Sequence, residues 1–403
     1  MPEQGTDYMI DRDAFKWHTN PLIHLTREAI AMTVAEMDVA GAGGTMNELD
    51  VMMQSMLSLC QYRPEDVWQG DAAAIHDVAT RTETDFRGEA GVRFNAQVGE
   101  GLVRPNLDII VPVARTHYGR QSEVCDRLAE QHPELVSFVR GEVVTFDCAN
   151  PATTTKGREY RTEADGTASM IVKEKDTGKR IVMKRVDLET SRLYAEELHY
   201  IHKAREDEVV AFGAYVEDSE LPFAWVSYSP IGTESEQDIA RHAGREPENT
   251  LEMTRAWNMA WSPKNTMSVL FSYAHSQLQA AAKTQSVEGV PFNLGGVITA
   301  INPNLGFSGM AFSGVDFGVV GLKPTNHKFL IENGVPIYML RRDIARHLGT
   351  TVAALAQHES YSESSMPLSH TNVMMVLFDK SSREKPAPPI YVLGDRTTSK
   401  QIK

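Results

Sequence analysis

The sequence predicts an α+β protein: a C-terminal mixed sheet with helices on both faces, preceded by a mainly helical N-terminal region and a small β-hairpin segment. Three observations lead there. Apolar side chains recur at helical spacing over residues 21–40, 46–60 and 121–131. Residues 151–185 switch to short alternating runs broken by turn residues. From residue 186 to about 350, helical and strand-like stretches take turns.

The chain has 403 residues, more than the usual ~100–200 of one domain, so several units are expected. These are an acidic region over 1–150, a basic hairpin segment over 151–185, a mixed α/β domain over 186–350, and a C-terminal helix and tail over 351–403. With 42% hydrophobic and 23% charged residues there is apolar surface enough for a packed core. No run approaches the ~20 apolar residues of a membrane span, and the first residues lack a signal-peptide layout, so a cytoplasmic protein without a membrane partner is expected. Cys60, Cys125 and Cys148 are too dispersed for a disulfide framework or a Cys-x-x-Cys zinc site and read as buried thiols.

The formal net charge of -14 is unevenly spread: residues 1–150 carry 24 acidic against 12 basic side chains. Phosphate contacts need clustered cations, so a nucleic-acid substrate would have to be held locally. The one basic stretch is the hairpin segment, with Lys173, Lys175, Lys179, Arg180, Lys184 and Arg185. It reads either as a solvated face or as a nucleic-acid contact. In the first region Met52, Met53 and Met56 read as core filling on a helix, and residues 107–113 as a buried strand.

In the domain over 186–350 the pattern gives a helix at 188–204, strands at 208–215 and 222–230, and a short helix at 235–242. A strand at 251–260, a long helix at 264–283 and an apolar strand at 295–301 follow. A short helix at 308–315, a strand at 318–322 and two further strands complete it. Arg341, Arg342 and Asp343 open a helix, and 349–355 continues like part of a helix-turn-helix without a basic recognition helix. The tail beyond Lys380 reads as a flexible or clamping arm.

Several strings in this order are similar to known ones. The run Gly309 to Phe317, followed by Gly318 to Gly321, looks like the closing helix and strand of a GNAT-type acyltransferase. The run Ile298 to Gly309, the Thr254 to Trp257 string, the Ser262 to Ser268 string and the pair His199 and Tyr200 resemble the Mom-like phage DNA-modification acyltransferases of that superfamily. The resemblance spans about 160 residues, and it implies acyl transfer to an amine, with adenine in DNA as acceptor and a cleft between the splayed central strands near 254–257 and 298–301 for the donor. A base in duplex DNA must be flipped out to be reached. The resemblance implies an acyl-CoA or another activated acyl group as donor and leaves its identity open.

The residues themselves give a chemical reading. Lys264, Asn265, Thr266 and Ser268 follow Pro263 at a helix start, where backbone N–H groups attract a phosphate or carboxylate; Asn265 or Thr266 capping the helix is the alternative. With Asn302 these form the expected donor-binding set. The spaced glycines that usually cradle coenzyme A pyrophosphate are not there. Phe312 stands where many GNAT enzymes carry a proton-donating tyrosine, which leaves Tyr200, Tyr273 and Ser308 as candidates for that role. Arg255 is expected to share a sheet face with Met253 and Trp257 and to bind an anion with its planar fork, or else to make a structural ion pair. His199 and Tyr200 are candidate ligands for iron, although Asn302 is a poor third ligand. His275 reads as core or surface. The catalytic set is Arg255, Tyr200 and Ser308. The rival readings are a small-amine or aminoacyl-tRNA-dependent acyltransferase, and a non-catalytic binding protein of the same fold. The sequence leaves the oligomeric state open.

Overall fold

A computed structural model describes residues 7–10, 130–133, 135, 154, 157–163, 167–175, 177–199, 201, 203–259, 262–301, 310–324, 327–332, 335–358, 371–378 and 389–394. The helices expected at 21–40 and 46–60, most of that at 121–131, the strand at 107–113 and the three cysteines lie outside these residues.

Among the described residues, eleven strands form one mixed sheet in the order β1-β13-β9-β12-β8-β7-β6-β5-β4-β3-β2. They are β1 (Tyr8–Ile10), β2 (Glu159–Thr162), β3 (Ala168–Lys173), β4 (Arg180–Val186), β5 (Val210–Val216), β6 (Ala224–Pro230), β7 (Thr250–Asn258), β8 (Gly296–Ile301), β9 (Gly318–Lys323), β12 (Thr371–Leu377) and β13 (Ile390–Val392). A separate hairpin joins β10 (His327–Glu332) to β11 (Val335–Leu340). Neighbours in the sheet run antiparallel except β7 with β8 and β9 with β13.

The α+β class and the mixed sheet follow the sequence pattern, and the sheet reaches further along the chain than residues 186–350. The hairpin segment supplies β2, β3 and β4, and the tail supplies β12 and β13. The part of the tail read as a flexible or clamping arm contributes β13, which lies between β9 and β1. Its Tyr391 hydroxyl bonds the Asp7 carboxylate, and the Gly394 N–H donates to the same group at 2.8 Å, so residues 384 and 387 apart in sequence tie the sheet edge.

The helices are α1 (Leu188–Leu193), α2 (Glu234–His242), α3 (Thr266–Thr284), α4 (Met310–Ser313) and α5 (Arg341–His347). Asp187 caps α1 by accepting from the Thr190 N–H at 2.8 Å. The helix expected to reach residue 204 instead widens into a π turn, Tyr194–Leu198, and stops at His199 in extended conformation. The π turn places Tyr194 edge-on to Trp257 at 5.9 Å, with its hydroxyl on the Pro222 carbonyl at 2.6 Å. After α5 the chain makes a turn at Gly349 and a single 3-10 turn, Leu355–Gln357, so the second helix of a helix-turn-helix does not form over 349–355. No helix among the described residues is long and apolar enough to cross a membrane.

Each sheet face has its own cover. On one, α3 packs on β5 and β6 and touches α4, burying Phe212, Tyr228, Leu270, Phe271 and Tyr273. On the other, α1 and its π turn cover Trp225 and Trp257, while α2 covers β8, β9 and β12 through Ile239 and Ala240. Gly321 permits that approach, because a Cβ there would lie 2.6 Å from Ile239.

Candidate functional site in the parting of two parallel strands

β7 and β8 pair in parallel over three residues each, Thr250 to Glu252 with Gly296 to Ile298. Beyond them the two strands run on, to Asn258 and Ile301, without pairing to each other. The Thr299 hydroxyl closes the apex of this split by donating to the Met253 carbonyl at 2.9 Å. At the same level β7 carries a bulge against β6: Tyr228 lies opposite Met253 and Ser227 opposite Arg255, which leaves Thr254 with no opposite residue.

The bulge corrects the strict alternation expected from sequence. Met253 shares a face with Tyr228, toward α3, whereas Arg255 and Trp257 face the α1 side with Ser227 and Trp225. Glu252 lies opposite Ser229 on that α1 side as well. Without the extra residue Glu252 and Arg255, three apart, would point to opposite faces.

On the α3 side two helices follow the parted strands, α3 after β7 and α4 after β8. Asn265 adopts a left-handed conformation with φ 68°, and no side chain caps α3. The Thr266 hydroxyl donates to the Pro263 carbonyl at 2.7 Å, so neither Asn265 nor Thr266 takes the capping role. Lys264 and Asn265 are exposed, and the Lys264 carbonyl accepts from the Thr154 backbone N–H at 3.3 Å. Ser268 ties α3 to α4 by donating to the Ala311 carbonyl at 3.0 Å. Phe312 stacks on Phe271 at 4.8 Å and meets Phe317 edge-on at 5.1 Å, so it serves as an aromatic anchor for α4. Tyr273 donates its hydroxyl to the Ala168 carbonyl at 2.5 Å, a structural bond between α3 and β3.

His275, read from sequence as core or surface, is core. It packs against Phe317 at 5.5 Å, Phe378 at 5.4 Å and Tyr228 at 6.5 Å. Burial lowers its pKa to about 3, so it is a neutral ring at ordinary pH.

The α1 side of the split is aromatic at Trp257, under Tyr194, and polar at Arg255. Arg255 gives its guanidinium to backbone carbonyls: Nε and Nη2 to Lys203 at 3.2 and 2.9 Å, and Nη1 to Thr254 at 2.6 Å. His199 is buried, and its Nδ1 accepts from the Ile201 N–H at 3.3 Å. Among the described residues no group of three or more His, Cys, Asp or Glu could hold a metal ion. Tyr200, Asn302 and Ser308 lie outside the described residues.

Sequence reasoning missed two carboxylates here. Glu208 receives the Ser191 hydroxyl, which itself accepts from the Trp225 indole N–H at 2.8 Å. Burial raises the proton affinity of Glu208 against the opposing pull of Ser191, Arg192 and Arg255. Glu252 accepts from Arg205 Nη1 at 2.8 Å and from the Gly232 N–H at 3.1 Å. Its pKa is also raised, by burial first and then by the nearby Glu236 carboxylate, while Arg205 and Lys323 pull it down. Glu236 in turn holds Lys323 at 2.5 Å and the Thr233 hydroxyl at 2.6 Å. The available signal was a lone acidic residue, Glu252, inside an otherwise apolar strand start.

The sequence matches no model of a known protein family, and it matches no curated protein.

Proposed function

We propose that the chain is an acyltransferase of the GNAT type that carries an acyl group to an amine within the split between β7 and β8. The observation that carries this reading is the split itself: a parallel pair that parts after three residues, with a bulge in β7 at the parting and the uncapped start of a 19-residue helix following the same strand. Where strands part, backbone donors and acceptors lose their partners and become available to an extended ligand.

In this reading the acyl donor lies in the split and its anionic end meets the first turn of α3, near Lys264 and Asn265, where N–H groups and the helix dipole favour negative charge. The amine approaches from the α1 side. Its nitrogen attacks the acyl carbon, the new C–N bond forms, and the donor's leaving group departs. Glu208 and Glu252 are half-buried carboxylates on that side whose raised proton affinity suits them to take the proton released by the nitrogen. Alignment of the two reactants supplies most of the rate in such a site.

The acceptor proposed from the resemblance is the amino group of adenine in DNA. Mass spectrometry of nucleosides from the DNA of host cells making the protein tests it. The reading expects an adduct on adenosine that disappears with Arg255→Ala. No adduct, in cells where the protein is soluble and abundant, would overturn the DNA acceptor.

A second reading, a small-amine or aminoacyl-tRNA-dependent transferase, is favoured by one observation. Two arginines of the basic hairpins are engaged by acids: Arg180 with Glu217 at 3.0 Å, and Arg161 with Glu163 at 2.7 Å. Salt separates DNA modification from the small-amine form of this reading, because an enzyme that tracks phosphates weakens steeply as salt rises and a small-amine enzyme does not; a tRNA-dependent enzyme is told apart by the loss of activity on removing tRNA.

A further inference from the structure

Between the π turn and β5 the chain crosses the polar side of β7 as residues 203–207. Two guanidinium groups, pointing in opposite directions, fasten this segment. From β7, Arg255 reaches up to the Lys203 carbonyl through Nε and Nη2. From the segment, Arg205 reaches down to Glu252 at 2.8 Å and to the Pro230 carbonyl at 3.0 Å. Asp207 orients that guanidinium with bonds of 2.6 and 2.8 Å. The fit is close at Gly232, where an added Cβ would fall 2.6 Å from Arg205 Nη1.

The segment contributes little to the core. Lys203, Glu206 and Asp207 are exposed and Ala204 is half-buried. Polar bonds therefore hold it, and elements held that way are the ones that open locally. Beneath lies a polar floor on β6 and β7. Ser229, opposite Glu252, is completely buried, and its Oγ has no hydrogen-bond partner among the described residues. Ser227, opposite Arg255, bonds Thr254 Oγ1 at 3.1 Å. Ser169 and Tyr228 also carry buried hydroxyls without a partner among the described residues; the Ser229 hydroxyl differs in its place beside Glu252, where a group supplied from outside could bond both.

We infer that residues 203–207 are a lid over the acceptor's entry to the split, latched at one end by Arg255 on Lys203 and at the other by Arg205 on Glu252. Lifting the lid bares Ser227, Ser229 and Glu252, a hydroxyl and carboxylate surface that recognises an amine. The role as an acceptor gate rests on the acyl-transfer reading; the latch does not. The bulge at Thr254 makes the double latch possible, since it turns Glu252 and Arg255 to the same face.

Hydrogen exchange of the full-length protein, followed by mass spectrometry on peptides spanning residues 200–209, tests the latch. The wild type is expected to protect this segment at its two ends, where the Ile201 N–H bonds His199 Nδ1 at 3.3 Å and the Val209 N–H bonds the Tyr228 carbonyl at 2.9 Å. Arg205→Met and Arg255→Met, each cutting one latch, should each speed its exchange about tenfold or more while α3 keeps wild-type protection. Glu252→Gln, which keeps the shape and removes the charge, should fall between these variants and the wild type. Exchange at the unprotected rate in the wild type would overturn the lid, as would unchanged exchange in both arginine variants. So would acceleration spread equally over α3, which would make the arginines general stabilisers. Because no substrate is involved, a lid that lifts in a protein without transferase activity would retain the latch and overturn the acyl-transfer reading.

Discussion

The two sides of β7 are closed by different physics. Toward α3 the cover is aromatic: Phe271, Phe312, Phe317, His275 and Tyr228 meet ring to ring between helix and sheet. Toward residues 203–207 the cover is a set of charged and carbonyl contacts around Arg205, Glu252 and Arg255. An apolar contact area is lost all at once when it separates, whereas a few hydrogen bonds can exchange with water one by one. The contrast makes the α3 side the scaffold and, in the proposed reading, the other side the entrance.

Stability measurements should separate the two sides. Phe271→Ala, which removes a side chain only 1% exposed and unstacks Phe312, is expected to cost about 3–5 kcal/mol in urea unfolding. On the lid the exposed Glu206→Ala should stay within about 0.5 kcal/mol. Equal losses at both positions would remove the distinction.

The aromatic side also has a pH signature. His275 titrates at about 3 in the fold against an ordinary value near 6.5. Its folded pKa is depressed, so the unfolded chain takes up the proton first as pH falls. Its full contribution is present above about 6.5 and declines by about 1.4 kcal/mol per pH unit down to about 3. His275→Phe should flatten that part of the stability profile, and an unchanged slope would place the acid sensitivity elsewhere. A smaller effect belongs to the start of α1: Asp187→Ala, losing the Thr190 cap, should cost about 1 kcal/mol by thermal unfolding. The smallest is Arg241→Met, which breaks an exposed pair with Asp238 at 2.9 Å and should shift stability by less than about 0.5 kcal/mol.

Much of the scaffold was legible because it is periodic. Alternation located the hairpins of β2 to β4, and apolar runs located β5, β6, β8 and β9 to within a few residues. What escaped was set by partners distant in sequence. β13 is three residues long and exists because β9 and β1 lie beside it. The π turn ends α1 early where Tyr194 settles between Trp225 and Trp257. The site divides in the same way. The resemblance implied splayed strands near 254–257 and 298–301, and β7 and β8 part after Glu252 and Ile298; the helix start after Pro263 could be read from local strings. The faces of Met253 and Arg255 could not, because one bulged residue, Thr254, reverses the alternation and leaves no local mark. The latch of Arg205 on Glu252 joins residues 47 apart, which no local pattern connects.

The most direct test of the central claim fills the split. Ala256 lies on β7 past its last pair with β8, half-buried on the α3 side. Ala256→Trp would occupy the space assigned to the acyl donor. Nucleoside mass spectrometry on cells making the wild type and this variant at equal soluble levels, with unfolding curves for both proteins, gives the comparison. The account predicts that Ala256→Trp keeps a cooperative unfolding transition and loses the adduct; a folded variant that forms the adduct at the wild-type level would contradict it.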